Sequence, residues 1–365
     1  MGIILSTNAF EEKISFEKRT SAGRAPLLAA RGLGSHVVPV GPAILSKLYW
    51  SISIPRMLYG LEAYPVNREN MYKLEHGHRM HAKIVQNLPQ NTHNPAPLAT
   101  IGWVSVQSII ELMKILFLWR ILCLDGHNIY KRLVISLLRS FMNRGVSAIQ
   151  HKLSPIANML QVIRKYGLEE MLQNGIMTGD FGTYSNIKIF IKRLVHTHEH
   201  ERWRATCILY PELLIYLKSV KHIQVFAWIK HLKGQPQLSN MVGDVLAILM
   251  GGQPKRLQRN FEHSICQLCH SNSRDDATHI LFECCALADV RQTLWQEVTN
   301  HMTPNMINDM MRMQPVDKTQ YIISCFNNSY VAEWSVLYTK SLYFVSNIYR
   351  CRASKYDDIL PITPH

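Results

Sequence analysis

Apolar residues recur at three- and four-residue intervals along most of the chain, the spacing that places them on one face of an α-helix. The first such stretch predicts a helix over 42–59 that is kinked near Pro55. A second helix is predicted over 67–88, with Asn67 as its N-cap. A third, over 105–124, is apolar nearly all round, which indicates a buried helix.

The rest of the chain keeps the helical pattern, and no alternation of six or more residues indicates a strand. Prolines and asparagines predict a loop over 89–103. From 126 to 260 the pattern is broken repeatedly by Gly and Pro. Further helices are predicted over 290–298 and 331–348, the second followed by a loose tail. We therefore predict a mainly α protein.

The charge distribution indicates what kind of partner the protein binds. With 47% hydrophobic and 18% charged residues, the chain has a globular composition. Its net charge of +14 is uneven, because residues 1–260 hold 32 Lys and Arg against 15 Asp and Glu, whereas residues 261–365 hold 8 against 11. Such a positive excess points to nucleic acid or, less often, to an anionic membrane.

Targeting signals are not evident in the sequence. No secretory signal opens it, and no apolar run is long and uncharged enough to span a membrane. Without an export signal, the eight cysteines are expected to stay reduced. We expect an intracellular protein without a membrane partner, and the sequence leaves nuclear and cytoplasmic locations open.

One short window has the spacing of a metal site, C-x2-C-x9-H-x4-C. Two cysteines on a tight turn can present their sulfurs to one ion. The His-x4-Cys pair suits a short helix beginning near Asp275 and Asp276, whose carboxylates favour its N-terminal end. Three thiolates and one imidazole satisfy tetrahedral zinc and leave no position for water, so we expect a structural Zn²⁺. The predicted ligands are Cys266, Cys269, His279 and Cys284.

Other interpretations of this window stay open. The four residues could be unrelated members of a chain with eight cysteines and 17 histidines, or a disulfide could join the cysteines of the turn. The fourth ligand is also open, because Cys285 adjoins Cys284, and His263 and His270 flank the turn.

Two basic segments have the composition of a nucleic-acid contact, in which cations hold phosphates and aromatic rings stack on bases. The second segment directly precedes the metal motif, where it could hold phosphates beside a rigid zinc module. A solvated charged surface is the alternative for both. The candidate contacts are Lys192, Arg193, Arg202, Trp203 and Arg204 in the first segment, and Lys255, Arg256 and Arg259 in the second.

A second group of metal-ligand residue types is found at His196-Thr-His198-Glu-His200. His196 and His200 would share one face of a helix. The H-E-x-x-H pattern of zinc enzymes is incomplete, however, because Arg202 stands where its second histidine belongs. A solvated polar face is the favoured interpretation, with a second metal site as the alternative.

A further block of residues precedes the metal motif, and within the motif Asp275-Asp276 and Arg291 accompany the ligands. That block consists of Leu48-Tyr49-Trp50, Pro55, Leu58-Tyr59-Gly60-Leu61-Glu62, Leu74-Glu75, Leu88-Pro89, Leu98 and Ile101-Gly102. Together, the two blocks resemble the region downstream of the polymerase palm in non-LTR (LINE-type) retrotransposon reverse transcriptases. The first block looks like the family's thumb segment, and the metal motif looks like its C-terminal zinc knuckle.

This resemblance implies an organisation and a function. It spans roughly residues 1–300 and implies a thumb-like helical region over 1–125 and a CCHC zinc knuckle over 261–300. The helical periodicity and charge of the sequence add a basic helical linker over 126–260 and a helical tail over 301–365. The chain would be a truncated C-terminal part of an RNA-directed DNA polymerase from a transposable element. It would bind RNA or DNA through its basic helices and knuckle, and could act in trans with a complete reverse transcriptase.

The resemblance also implies that this chain alone is not an enzyme. The family's catalytic carboxylates lie in a Tyr/Phe-x-Asp-Asp turn upstream of anything present here, and polymerase chemistry needs them to hold two metal ions. Tyr356-Asp357-Asp358 is only superficially similar, since it lies in a charged tail without flanking apolar strands. The alternative function is a zinc-stabilised helical scaffold that binds protein, an element remnant reused by its host.

Overall fold

The computed structural model describes residues 9–34, 40–143, 154–231, 236–251, 265–269, 271–323 and 334–359. Within these ranges the chain is mainly α, and the prediction of fold class is confirmed. The β pairing found there consists of two isolated antiparallel bridges, which join Ile101 to Val225 and Ile265 to Arg274.

The α-helices of the described ranges are separated by loops and by short 3₁₀ and π-helical turns. They are α1 (Ala9–Gly34), α2 (Pro42–Leu48), α3 (Ile54–Leu58), α4 (Arg68–Val85), α5 (Ala96–Thr100), α6 (Val106–Leu122), α7 (Ile129–Asn143), α8 (Pro155–Lys165), α9 (Glu169–Thr178), α10 (Tyr184–Ile208), α11 (Leu214–Ser219), α12 (Ala227–His231), α13 (Ser239–Leu249), α14 (Ala288–Thr299), α15 (Pro304–Arg312), α16 (Pro315–Ile323) and α17 (Trp334–Ile359). The π-helical turns are Tyr49–Ser53 and His279–Glu283.

The first predicted helix is built from three pieces. α2 passes into the π-helical turn Tyr49–Ser53 and then into α3, with Pro55 in the first turn of α3, where a missing N–H is tolerated. Gly60 follows with a φ of 79°, a left-handed conformation that only a residue without a Cβ adopts freely. The helix ends at its C-cap Tyr59, whose ψ is 124°, and Gly60 allows the turn that follows, in which Leu61 N–H donates to the carbonyl of Leu58 at 3.0 Å.

Two expectations about local structure are wrong. The loop predicted over 89–103 contains the helical turn α5, whose residues are all buried. The tail predicted to be loose after residue 348 is helical, because α17 continues to Ile359 and Tyr356 is buried. In both cases tertiary burial stabilises a helix that the local sequence pattern does not announce.

The described chain divides into two compact units built from interleaved segments. The first unit comprises Met1–Pro26, Leu48–His78 and Val104–Arg202, and the second comprises Leu27–Lys47, Arg79–Trp103 and Trp203–His365. The four consecutive regions expected from the sequence stay a prediction.

The first unit has its core between α6, α7, α8 and α9, with residues of α10. Serines begin two of these helices, since Ser105 Oγ accepts a hydrogen bond from Ser108 N at 3.1 Å and Ser154 Oγ accepts one from Ala157 N at 3.4 Å. The fully buried core residues include Leu118, Leu122, Leu138, Leu160, Ile163, Leu172 and Ile191.

A buried polar network crosses this core. Glu111 on α6 accepts hydrogen bonds from Lys165 Nζ and Tyr166 Oη, both at 2.7 Å. Glu199 on α10 accepts a hydrogen bond from Ser105 N at 3.0 Å. Because buried carboxylates need such partners, the network fixes how α8 and α10 lie against α6.

The second unit is organised around α17, which packs along α13 and α14. Asp244 on α13 accepts hydrogen bonds from Ser346 Oγ at 2.6 Å and from Arg350 Nε at 2.8 Å. The buried Trp228 indole N–H donates to the carbonyl of Ile323 at the end of α16. These contacts hold α17 in place, and the turn His279–Glu283, which begins at one predicted metal ligand and is followed directly by another, packs against this helix.

Candidate metal centre

The two cysteines of the C-x2-C turn belong to a short hairpin. Ile265 and Arg274 form the antiparallel bridge at its base, and Cys266 N–H donates to the carbonyl of Ser273 at 2.9 Å. This backbone pairing closes the loop that brings Cys269 beside Cys266.

The other two predicted ligands are placed by a capped π-helical turn. Asp276 Oδ1 accepts hydrogen bonds from the N–H groups of Thr278 at 2.9 Å and His279 at 3.0 Å. In the turn His279–Glu283, Cys284 N–H donates to the carbonyl of His279 at 2.7 Å. Residues five apart lie about 140° apart around a regular α-helix. The wider π turn therefore brings the imidazole and the thiol to the same side.

The four predicted ligands converge. Their ligand atoms all lie within 4.8 Å of one another, and all but the half-buried Cys269 are buried. Cys266 Sγ lies 3.9 Å from Cys284 Sγ, and Cys269 Sγ lies 3.3 Å from His279 Nε2. Over the described ranges, no other set of three or more His, Cys, Asp or Glu side chains is close enough to share an ion. This arrangement could hold a metal ion.

The contact between Cys266 and Cys284 changes the acidity of both thiols in opposite directions. A hydrogen bond from the Cys284 thiol is the largest factor that lowers the pKa of Cys266 to about 3, and the same contact raises the pKa of Cys284. The thiolate is the form of cysteine that binds metals. His279 turns Nε2 towards the sulfurs, while its buried Nδ1 has no hydrogen-bond partner and lies 3.9 Å from Glu283 Oε2.

Helix α17 supports the hairpin through residues that the sequence motif does not include. Arg352 forms a buried ion pair with Asp275, and its guanidinium lies 5.1 Å from the centre of the Tyr356 ring. Tyr356 Oη accepts a hydrogen bond from Gln267 N–H at 3.2 Å. These partners are 77 and 89 positions apart in the chain, so no local spacing could reveal them. The one local signal is an arginine on the apolar stripe of α17.

Of the alternative ligands, Cys285 is the one that the structure describes, and it does not join the cluster. Cys285 is exposed, and its Sγ lies 4.0 Å from the carbonyl oxygen of Cys269. His263 and His270 lie outside the described residues. His196 and His200 on α10 belong to no group of potential ligands found in the described part of the chain.

The first basic segment lies on α10, and its first three candidate residues belong to the first unit. Lys192 and Arg193 are exposed, and neither has a partner among the ion pairs of the described residues. Arg202 is half-buried and forms an ion pair with Glu199 at 2.8 Å. Lys192 and Arg193 are therefore the side chains of this segment that are free to meet a phosphate.

The remaining candidate contacts belong to the second unit. Trp203 is only 6% exposed, and its ring meets the Tyr216 ring edge-on with centroids 6.1 Å apart, so it offers no open face to a base. Arg204 is exposed. The second basic segment, Lys255, Arg256 and Arg259, lies outside the described residues.

One exposed aromatic side chain outside the predicted contacts lies on the same helix as Lys192 and Arg193. Phe190 is 50% exposed on α10, and Lys188 and Lys192, two positions before and after it, are exposed on the opposite side of that helix. Arg193 is exposed one turn after Phe190. The signal was present in the order Lys-Ile-Phe-Ile-Lys-Arg over 188–193, which interleaves cations with an aromatic ring.

The fold and the site define a class: a mainly α protein with a Cys₃His cluster that could hold a metal ion. Comparison with known proteins gives no match to a family model, to a curated protein or to a solved structure. Among the helices described, none combines the length and the apolar character that crossing a membrane requires. The reverse-transcriptase resemblance therefore rests on the sequence motifs alone.

Proposed function

We propose that the chain is a nucleic-acid-binding part of a non-LTR retrotransposon reverse transcriptase, stabilised by a structural zinc ion and without a polymerase site of its own. Basic helices would hold phosphates of RNA or DNA, and the knuckle would serve as a rigid platform. The convergence of Cys266, Cys269, His279 and Cys284 is the observation that carries this proposal, because it joins the motif's spacing to a three-dimensional site.

The distances in the cluster support zinc as the ion. Tetrahedral zinc with sulfur at about 2.3 Å and nitrogen at about 2.05 Å would separate two sulfurs by about 3.8 Å and a sulfur from the nitrogen by about 3.6 Å. The corresponding separations are 3.9 Å for Cys266 Sγ to Cys284 Sγ and 3.3 Å for Cys269 Sγ to His279 Nε2. Four protein ligands fill a tetrahedral shell, so the ion would stabilise the fold and would not activate water.

The charge distribution supports nucleic acid as the partner. The excess of 32 Lys and Arg over 15 Asp and Glu lies in residues 1–260. On α10 of the first unit, Arg193 lies one turn after the exposed Phe190 and on the same side of the helix, and Lys188 and Lys192 are exposed on the opposite side. Cations can hold the phosphates of a single strand while an aromatic ring stacks on a base, a mode of binding that does not depend on sequence.

A salt titration with the full chain tests nucleic-acid binding. Fluorescence anisotropy would follow a labelled single-stranded RNA and an RNA–DNA hybrid as salt is raised from about 50 to about 200 mM. We expect affinity to fall steeply with salt. On single-stranded RNA, the double variant Lys192→Ala/Arg193→Ala should reduce the slope of log affinity against log salt by about 1.4, because each phosphate that a cation neutralises contributes about 0.7 to that slope.

The matched control is Lys221→Ala/Lys230→Ala, which removes two exposed cations of the second unit and changes the net charge equally. It should leave the slope unchanged. Equal decreases in the two double variants would show that only net charge matters. No binding at physiological salt, or binding that is indifferent to salt, would reject the nucleic-acid proposal.

Metal analysis of the purified full chain tests the zinc proposal separately. We expect one zinc ion per chain, absent from Cys266→Ser and from Cys269→Ser. The control Cys285→Ser changes an exposed thiol next to a ligand and should retain zinc. Protein that has intact thiols but no zinc, or that holds a different metal, would contradict this part of the proposal.

A further inference from the structure

A cleft of about 290 Å³ opens beside the metal centre, between α14 and α15. Its wall on α14 includes Gln292, Trp295 and Thr299, spaced three and four residues apart, so one stripe of that helix faces the cleft. The full lining is Phe282, Ala288, Arg291, Gln292, Trp295, Thr299, Met302, Ile307, Met310, Met311 and Lys318. We name this cleft the α14–α15 groove.

The groove is apolar and adaptable. Three methionines line it, and unbranched thioether side chains can repack around different apolar shapes. Its aromatic floor is fixed, because Trp295 meets Phe282 at 5.7 Å and Phe344 at 5.3 Å between ring centroids, both edge-on. A rigid aromatic base with flexible walls is typical of grooves that receive the apolar face of a helix.

The charges at the groove select the partner. Arg291 and Lys318 line it, and no acidic residue is part of the described lining. The Arg291 guanidinium donates to the carbonyl of Cys284, but its buried Nε has no hydrogen-bond partner. Lys318 has no acidic partner among the ion pairs found in the described ranges. Arg291 and Lys318 therefore place two cations beside an apolar surface. A partner complements this surface if it carries carboxylates next to apolar side chains.

We propose that the α14–α15 groove is a docking site for an amphipathic helix of a partner protein, with acidic residues beside its apolar stripe. α14 has 12 residues, so the groove wall is about 18 Å long and accommodates about three turns of a bound helix. Nucleic acid is the poorer occupant, because only two cations line the groove and most of the other lining side chains are apolar, which suits apolar anchors rather than a run of phosphates. The groove shares no residue with the basic helix α10, so peptide docking and RNA binding can be tested with separate variants.

The test uses the full, metal-loaded chain and a fluorescein-labelled model peptide of about 16 residues, long enough for about four helical turns. Its Leu and Phe residues are spaced three and four apart, and its other positions are Glu. A matched peptide carries Lys in place of every Glu. Anisotropy should report binding of the acidic peptide, weakened by salt, and little binding of the basic peptide.

Exposed methionines of nearly equal accessibility provide the variant and its control. Met311 lines the groove and is 76% exposed, whereas Met177 is 74% exposed in the first unit. Met311→Glu should lower the affinity for the acidic peptide by about tenfold, and Met177→Glu should lower it by less than about twofold. Since both side chains are exposed, neither change should impair folding, which an unchanged midpoint of urea unfolding would verify.

Charge reversal gives the second comparison. Lys318→Glu should lower the affinity for the acidic peptide about fivefold and raise the affinity for the basic peptide. The proposal is overturned if wild-type protein does not bind the acidic peptide, or if Met311→Glu and Met177→Glu behave alike. It is also overturned if a fatty acid such as laurate binds the groove while the peptide does not, since the site would then take a small apolar anion.

Discussion

Replacing Arg352 by methionine should destabilise the second unit more than any surface change on the same helix. The Arg352 and Asp275 side chains are 2% and 1% exposed and form a direct ion pair that joins α17 to the metal-site hairpin. Methionine keeps much of the side chain's volume but removes the charge. The Asp275 carboxylate would then be buried without its cation.

The size of the effect follows from this burial. Removing one partner of a buried ion pair costs about 3–5 kcal/mol, because the remaining charge is left uncompensated. In the wild-type pair, Arg352 Nε and Asp275 Oδ1 already lack hydrogen-bond partners, so the pair is incompletely satisfied. We therefore expect the lower end, about 3 kcal/mol, which corresponds to a change of roughly a hundredfold in the unfolding equilibrium.

Urea unfolding followed by far-UV circular dichroism, at a fixed zinc concentration, measures this destabilisation. The control is Arg350→Met on the same helix, because the Arg350 side chain is 50% exposed and its ion pair with Asp244 should contribute at most about 1 kcal/mol. The double variant Arg352→Met/Asp275→Leu should recover most of the stability, since no buried charge remains. If Arg352→Met lowers the free energy of unfolding no more than Arg350→Met does, the buried ion pair does not stabilise the second unit as inferred.

Three further predictions concern the first unit. Burial lowers the pKa of Lys114 to about 8, so between pH 8 and 10.5 the unfolded chain binds more protons than the folded chain. Stability should therefore rise by up to about 3 kcal/mol across that window in wild type but not in Lys114→Met, as urea titrations at several pH values would measure. The fully buried Leu118→Ala should cost about 2–5 kcal/mol in thermal or urea unfolding, whereas the exposed Leu133→Ala should cost less than about 0.5 kcal/mol. Glu199→Ala should cost about 1–3 kcal/mol by the same assay, because the buried N–H of Ser105 would have no acceptor; an unchanged midpoint would contradict that hydrogen bond.

The sequence predicts much of the helical fold because its apolar periodicity is local information. α4 and α6 begin within one residue of their predicted caps, and the Oδ1 of Asn67 accepts the N–H of Asn70 at 2.8 Å as a helix cap should. α5 was missed because its burial depends on distant segments: the carbonyls of Ala99 and Thr100 accept hydrogen bonds from Gln224 and Phe226.

The candidate metal site was also only partly predictable from the sequence. The four cluster residues lie within 19 positions of one another, so spacing alone could bring them together as candidates. The ion pair and the tyrosine contact of α17 connect positions 77 and 89 apart, and no spacing rule reaches them. The burial of Trp203 is likewise tertiary, since it depends on Tyr216 in a separate helix.

Because of the π-helical turn, the candidate metal site should tolerate the loss of one residue between His279 and Cys284 better than the gain of one. It holds His279 and Cys284, five positions apart, on one side through the hydrogen bond between their own backbones. Deleting one residue between them would leave a pair four apart, which an ordinary α-helix also places on one face. Inserting one would put the pair six positions apart and on different faces. A family of such sites could therefore drift towards a shorter spacing while keeping its ion, but not towards a longer one.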